Sequence, residues 1–148
     1  GASAVVYPVA EIQAGKREGG LVGKVPKVQH SGDEADRSKL PEDMRQEVKM
    51  LTMVQGHPNV VRFHGLFWAS ARSEPNWIIL MERFPGDLFR AVRKKVFSEA
   101  RTKETMADIL SALAFIHGLK LVHRDVKPQN VMVTHKGKAV LADFGTCC

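Results

Sequence analysis

Four polar residues near the end of the sequence sit at the tips of two short apolar runs. Asp125, Lys127 and Asn130 belong to the string His123, Arg124, Asp125, Val126, Lys127, Pro128, Gln129, Asn130, and Asp143 opens the triplet Asp143, Phe144, Gly145. Transfer of a phosphoryl group from a nucleoside triphosphate to an alcohol needs a carboxylate at the hydroxyl, a cation on the transferring phosphate and hard oxygen ligands for Mg²⁺. Each need has a candidate. Asp125 can accept or orient the hydroxyl proton, Lys127 can neutralise charge on the γ-phosphate, and the side-chain oxygens of Asn130 and Asp143 can hold the metal. The flanking runs, Val131 to Val133 and Ala139 to Ala142, read as two short strands that hold these tips in place.

The string follows the pattern H-R-D-L-x-x-x-N, with Val126 in place of Leu, and D-F-G comes after it in the expected order. On these residues the sequence resembles the eukaryotic protein kinase family. Lys127 with Pro128 is similar to the serine/threonine subdivision. The resemblance implies ATP and Mg²⁺ as cofactors and a protein Ser/Thr hydroxyl as acceptor. A loop that is merely capped by His, Arg, Asp and Lys would not explain both motifs at once. A different class is a nucleotide-binding pseudokinase or scaffold without catalysis; the full set of Asp125, Asn130 and Asp143 argues against it.

The elements that must carry these residues follow from pattern. Residues 1 to 30 alternate apolar and polar with glycines at 15, 19, 20 and 23, predicting two strands joined by a long hairpin. Residues 41 to 56 predict a helix, begun by Pro41, Glu42 and Asp43, closed by Gly56 and Pro58, and striped by Met44, Val48 and Leu51. Strands are expected at Val60 to Phe67 and Trp77 to Met81, followed by a break at Pro85, Gly86 and Asp87. Ser98 reads as an N-cap. Met106, Ile109, Leu110, Leu113 and Ile116 are expected to line one side of a helix ending at Gly118. The resemblance turns this order into an α+β, kinase-like two-lobe fold that is truncated. Its parts are an N-lobe of antiparallel strands and one helix over 1–81, a hinge over 82–86, and the start of a helical C-lobe through D-F-G over 87–148.

Further positions are assigned by the resemblance. Glu47 lies beside the apolar stripe of its helix, where a carboxylate needs a cation because an unpaired buried charge is costly. Arg45 and Lys49 lack the spacing of three or four for a facing pair. In the family the partner is a strand lysine that also grips the α- and β-phosphates. Lys27 is the assignment, with Val25 on its face, and Lys24 is the competitor. Gly1 to Tyr7 resembles the latter part of the glycine-rich loop G-x-G-x-x-G-x-V, with Gly1 as second glycine, Ala4 in place of the third, and Val6 over the adenine. Met81 takes the gatekeeper position, and the backbone of Glu82 and Phe84 is implied to bond the adenine edge. Val25 and Met132 are implied to sandwich the ring. Leu51, Phe63, His123 and Phe144 match the stack that joins the two lobes.

Composition excludes several alternatives. The chain of 148 residues is 44% hydrophobic and 26% charged, which suits one globular unit. No apolar run approaches the roughly 18 residues of a spanning helix, so no membrane partner is expected. The two cysteines, Cys147 and Cys148, are adjacent, offering neither a disulfide framework nor a zinc spacing. An intracellular setting, cytoplasmic or nuclear, is expected. The net charge of +6 raises nucleic-acid binding. However, the densest cluster, Arg90, Arg93, Lys94 and Lys95, has no interleaved aromatic residues for stacking, and a solvated helix face is the better reading. An acidic protein substrate could dock there. The sequence starts inside the glycine-rich loop and stops three residues after Gly145, so a partial kinase domain is expected, inactive by itself and with no regulatory partner identifiable.

Overall fold

The computed structural model describes residues 4–9, 20–26, 39–69 and 76–148. Its first sheet is antiparallel, with strands β1 (Ala4–Val9), β2 (Leu21–Pro26), β3 (Phe63–Ala69) and β4 (Asn76–Glu82) in the order β1-β2-β4-β3. The two expected N-terminal strands pair as a ladder, while their connection, 10–19, lies outside the described residues. Register decides which side chains face the site. Lys24 lies between Val6 and Ile79, and Val22 lies opposite Met81. Because side chains alternate along a strand, these residues share a face, and Val25, opposite Val5, belongs to the other. The β4 ladder ends at Lys24, so Pro26 removes no hydrogen bond from it.

Helix α1 (Glu42–Met53) begins at Pro41, with Glu42 and Asp43 at its positive end. It buries Met44, Glu47, Met50 and Leu51, and the following turn closes at Gly56 with φ +99°, a left-handed angle that favours glycine. The second sheet is small, with β5 (Gly86–Asp87), β6 (Val131–Val133) and β7 (Ala139–Leu141) in that spatial order. Between β5 and β6 come α2 (Leu88–Lys94), α3 (Glu99–Gly118) and a single 3₁₀ turn, Pro128–Asn130. Asp87 caps α2 by accepting from the Arg90 N–H at 2.7 Å, and Ser98 caps α3 by accepting from the Arg101 N–H at 3.2 Å.

The expected stripe of α3 is buried only in part. Ile109 and Ile116 are buried, but Met106 is 47% and Leu110 is 58% exposed. The buried line runs through Thr105, Ile109, Ala112 and Ile116, and small Thr105 and Ala112 let the helix pack on β7. Met106 and Leu110 lie roughly 100° further round, on an adjacent face, because each residue advances about 100°. Thus the apolar residues of α3 span two faces, and only one meets the core.

The segment between α1 and β3 fastens the first sheet to the second. The Asn59 carbonyl accepts from the Leu141 N–H at 2.8 Å, the Val61 N–H donates to the Leu141 carbonyl at 2.9 Å, and the Asn59 amide donates to the Ala139 carbonyl at 2.8 Å. Val60, expected to start β3, instead forms an isolated parallel bridge with Leu141. Leu51, Val54, Ile116 and Phe144 are fully buried around this junction, so the core runs from α1 through β7 to α3. Among the described residues, no helix is long and apolar enough to cross a membrane.

Candidate active site

A cavity of about 640 Å³ opens between the first sheet, α1 and the second sheet, a size typical of small-molecule sites. Its apolar end is lined by Val6, Val22, Ile79, Met81, Met132 and Ala142, and its polar end by Lys24, Glu47, Asp125, Lys127, Asn130 and Asp143. Residues from β1, β2, β4, α1 and β6 and from the segment after β7 therefore converge from more than 100 positions of sequence separation, as Lys24 and Asp143 show (143 less 24 is 119).

The polar end is organised by Lys24. Its Nζ donates to both carboxylate oxygens of Glu47, at 2.6 and 2.8 Å, and to Oδ1 of Asp143 at 3.0 Å. Glu47 is 5% exposed, so the stripe position that called for a cation has one. The cation is Lys24, the competitor, and Lys27 lies outside the described residues. The same shift moves the apolar partner: Val22 lines the cavity and Val25 does not. Leu21, Val22, Gly23, Lys24 shares with V-A-I-K an aliphatic start and the final lysine, with Gly23 in place of Ile, and that partial likeness was the available signal for Lys24. Burial alone would lower the pKa of Lys24, but Glu47 and Asp143 outweigh it and raise it, keeping the ammonium charged. Burial pushes the Glu47 carboxyl up, against the pull of Lys24.

Asp143 adopts φ +61° and Arg124 φ +64°, left-handed conformations that are uncommon for residues with a side chain. The surroundings hold both. Phe144 is fully buried and meets the His123 ring edge-on, with centroids 4.9 Å apart, while Arg124 Nε donates to the Thr146 carbonyl at 2.6 Å. His123 Nε2 lies 2.9 Å from the Ala142 carbonyl, and the Asp125 N–H donates to His123 Nδ1 at 3.3 Å. A carbonyl on one side and an N–H on the other assign a neutral ring protonated at Nε2. His123 thereby ties the loop holding Asp125 to Ala142, the residue between β7 and Asp143.

Asp125 Oδ2 accepts from Lys127 Nζ at 2.6 Å and from the Asn130 amide at 2.9 Å. The Lys127 ammonium holds the Asp125 carboxyl below its usual range, with Asn130 acting in the same direction. The Asn130 amide nitrogen also donates to the Asp125 carbonyl at 2.9 Å, and the Ala142 N–H donates to the Asn130 carbonyl at 2.8 Å. With its nitrogen directed at Asp125, Asn130 keeps its side-chain oxygen for another partner. An amide oxygen and the Asp143 carboxylate beside one cavity suit Mg²⁺, which commonly takes one or two protein oxygens and completes its shell with phosphate and water.

Of the remaining expected site residues, Met81, Glu82, Phe84 and Met132 line the cavity together with Val6. Ala4 lies in β1 with its backbone opposite Pro26, and Gly1 is outside the described residues. Val61, Ile79, Ala142 and Thr146 also line the cavity and were not singled out by sequence. Their neighbours in sequence are equally apolar or polar, so only register and fold pick them out.

Comparison with known proteins adds an independent observation. A family model described as protein kinase domain matches residues 1–148. Serine/threonine-protein kinase Aurora-2 of Arabidopsis thaliana is 34% identical over 110 residues, which cover 74% of this chain and 38% of that protein. A putative ribosomal protein S6 kinase alpha-2 of Caenorhabditis elegans is 33% identical over 113 residues, covering 72% of this chain and 14% of the relative. Cyclin-dependent kinase F-1 of Arabidopsis thaliana is 38% identical over 109 residues, covering 67% and 22%. The chain thus spans well under half the length of these relatives.

Proposed function

Because this chain belongs to the protein kinase domain family, we propose that the protein carrying it transfers the γ-phosphoryl group of Mg-ATP to a Ser or Thr hydroxyl of a protein substrate. The observation that carries this reading is the single frame in which Lys24 joins Glu47 to Asp143 while Asp125 and Asn130 share hydrogen bonds beside the same cavity. A site assembled in this way can hold a triphosphate at one end and an alcohol at the other.

The roles follow from position and charge. The apolar end, between Val6 and Val22 on one side and Met132 on the other, suits a purine ring, with Met81 at its inner limit. The Glu82 N–H is already donated to the Arg62 carbonyl at 3.0 Å, so the Glu82 carbonyl is the atom available to a purine amino group, with Phe84 two residues on. Lys24, held charged by Glu47, neutralises phosphate oxygens. Asn130 and Asp143 would hold Mg²⁺, which when bound offsets the negative charge of the phosphates. Asp125, kept ionised by Lys127, orients the acceptor hydroxyl and takes its proton late, since a carboxylate of lowered pKa is a weak base. Lys127 next to it neutralises charge on the transferring group. The Lys127–Pro128 pair and the serine/threonine kinases among the relatives support Ser/Thr as acceptor. An intracellular setting goes with ATP chemistry and with the free thiols Cys147 and Cys148. The chain by itself is expected to transfer little phosphate, because Val122 and Val126 leave apolar surface open on the catalytic loop.

Removing the base tests the assignment. In the intact protein, Asp125→Ala is expected to lower turnover by about 10² to 10⁴, the contribution of a positioned base. Near-normal phosphorylation of a protein or peptide by this variant would refute the role of Asp125.

A further inference from the structure

Helix α2 presents an unusual outer face. Leu88 and Ala91 point inward and are half-buried, whereas Phe89, Arg90, Val92, Arg93 and Lys94 are exposed, followed by exposed Lys95 and by Val96 at 88%. Phe89 and Val92 are three apart and share a side, as do Arg90, Arg93 and Lys94. The Arg93 guanidinium lies over the Phe89 ring, 5.4 Å from its centroid, so charge and apolar surface form one patch. Arg90 contacts Asp87 at 3.5 Å, and Lys94 and Lys95 have no carboxylate partner among the described residues. The elements packed on α2 are β5, β6 and the turn Pro128–Asn130, and Asp87 is the only carboxylate in any of them. Among the described residues of these elements, the excess positive charge is therefore uncompensated.

The patch adjoins the catalytic loop, since α2 packs directly on Pro128–Asn130. A protein segment whose hydroxyl reaches Asp125 must pass over or beside the exposed residues Val126, Lys127, Pro128 and Gln129, none of which is acidic. We propose that the outer face of α2 docks an acidic segment of the protein substrate, with apolar side chains of that segment set against Phe89, Val92 and Val96. This deepens the kinase reading and rests on it for the word substrate. Charge complementarity selects the acidic character of the occupant, and the contact with the catalytic loop selects a substrate over an anionic membrane.

The test compares peptides in the intact protein. One peptide carries a central Ser flanked by Glu residues and two Leu; its twin replaces the Glu residues by Gln. The acidic peptide is expected to show a KM about tenfold lower than its twin at low salt, narrowing as salt rises. The double variant Arg93→Glu with Lys94→Glu is expected to erase that difference while leaving kcat and KM for the Gln peptide unchanged. Lys95→Glu lies beyond the helix and is expected to act in the same direction, which separates docking from loss of helix. Equal KM values for the two peptides in the unaltered protein, or equal losses for both peptides in the variants, would overturn the proposal. So would charge-dependent binding to phosphatidylserine vesicles with no peptide preference. Fluorescence anisotropy of the labelled acidic peptide reads docking without chemistry. If no peptide is phosphorylated but the acidic one binds and both variants release it, the kinase reading fails and the docking face stands; absence of binding overturns the docking face.

Discussion

Replacing Lys24 by Met is the most informative single change. It leaves the aliphatic stem but removes three charge-assisted contacts, two to Glu47 and one to Asp143. Breaking a fully buried pair by removing one partner costs about 3 to 5 kcal/mol. Here the Lys24 side chain is 17% exposed, and Glu47, whose carboxyl burial pushes up, can relieve itself by taking a proton. The expected cost is therefore about 2 to 3 kcal/mol, below the full range. For a chain of this size that is a fall in Tm of roughly 4 to 12 °C. Nucleotide affinity is expected to drop by about 10- to 100-fold, the worth of one hydrogen bond to a charged group. Lys27→Met is the control, expected to change stability by no more than about 0.5 kcal/mol and Mg-ATP binding not at all. Adding Glu47→Gln to Lys24→Met should restore stability to within about 1 kcal/mol of the unaltered protein, since no unpaired charge remains. Thermal denaturation and Mg-ATP titration of the three variants measure this. Loss of nucleotide binding in Lys27→Met with none in Lys24→Met would refute the assignment.

Two further outcomes follow from the same frame. On the acid side, Glu47 is pushed up by burial and Asp125 is held down by Lys127, so as pH falls Glu47 takes its proton first while Asp125 remains ionised. The acid limb of kcat/KM should accordingly lie above the ordinary Glu range, and Glu47→Gln should lower kcat/KM at neutral pH and abolish that limb; an unaltered limb in the pH profile would contradict this. Phe144→Ala removes a fully buried ring in contact with His123 and is expected to cost about 3 to 5 kcal/mol, measured by urea unfolding.

Much of the site was legible in the sequence because its residues are neighbours there. Asp125, Lys127 and Asn130 fall within one loop, and Asp143 follows a strand whose three buried residues are contiguous, so no long-range pairing had to be guessed. Local chemistry also placed α1, with Pro41 and its acidic first turn, and the Ser98 cap of α3. What failed depended on contacts between distant segments. The lysine was misplaced by three because Val25, Pro26, Lys27, Val28 alternates as plausibly as Leu21, Val22, Gly23, Lys24; only pairing of β2 with β4 decides which face meets Glu47. Met106 and Leu110 were expected on the apolar side of α3 and stay exposed because that side spans a wide arc, and composition cannot tell which part of the arc meets β7. Val60 was read as strand, but its one bridge is to Leu141, 81 positions away (141 less 60). In each case periodicity named the kind of surface and tertiary packing chose its partner.

Lys24, Asn130, Asp143 and Asp125 are proposed to surround one magnesium-loaded triphosphate. A crystal structure of the intact protein with Mg²⁺ and a nonhydrolysable ATP analogue tests it most directly. The expected result is the purine between Val22 and Met132, Lys24 on the phosphates, and the metal on the side-chain oxygens of Asn130 and Asp143. A nucleotide bound elsewhere, or a metal held without either of those two residues, would contradict it.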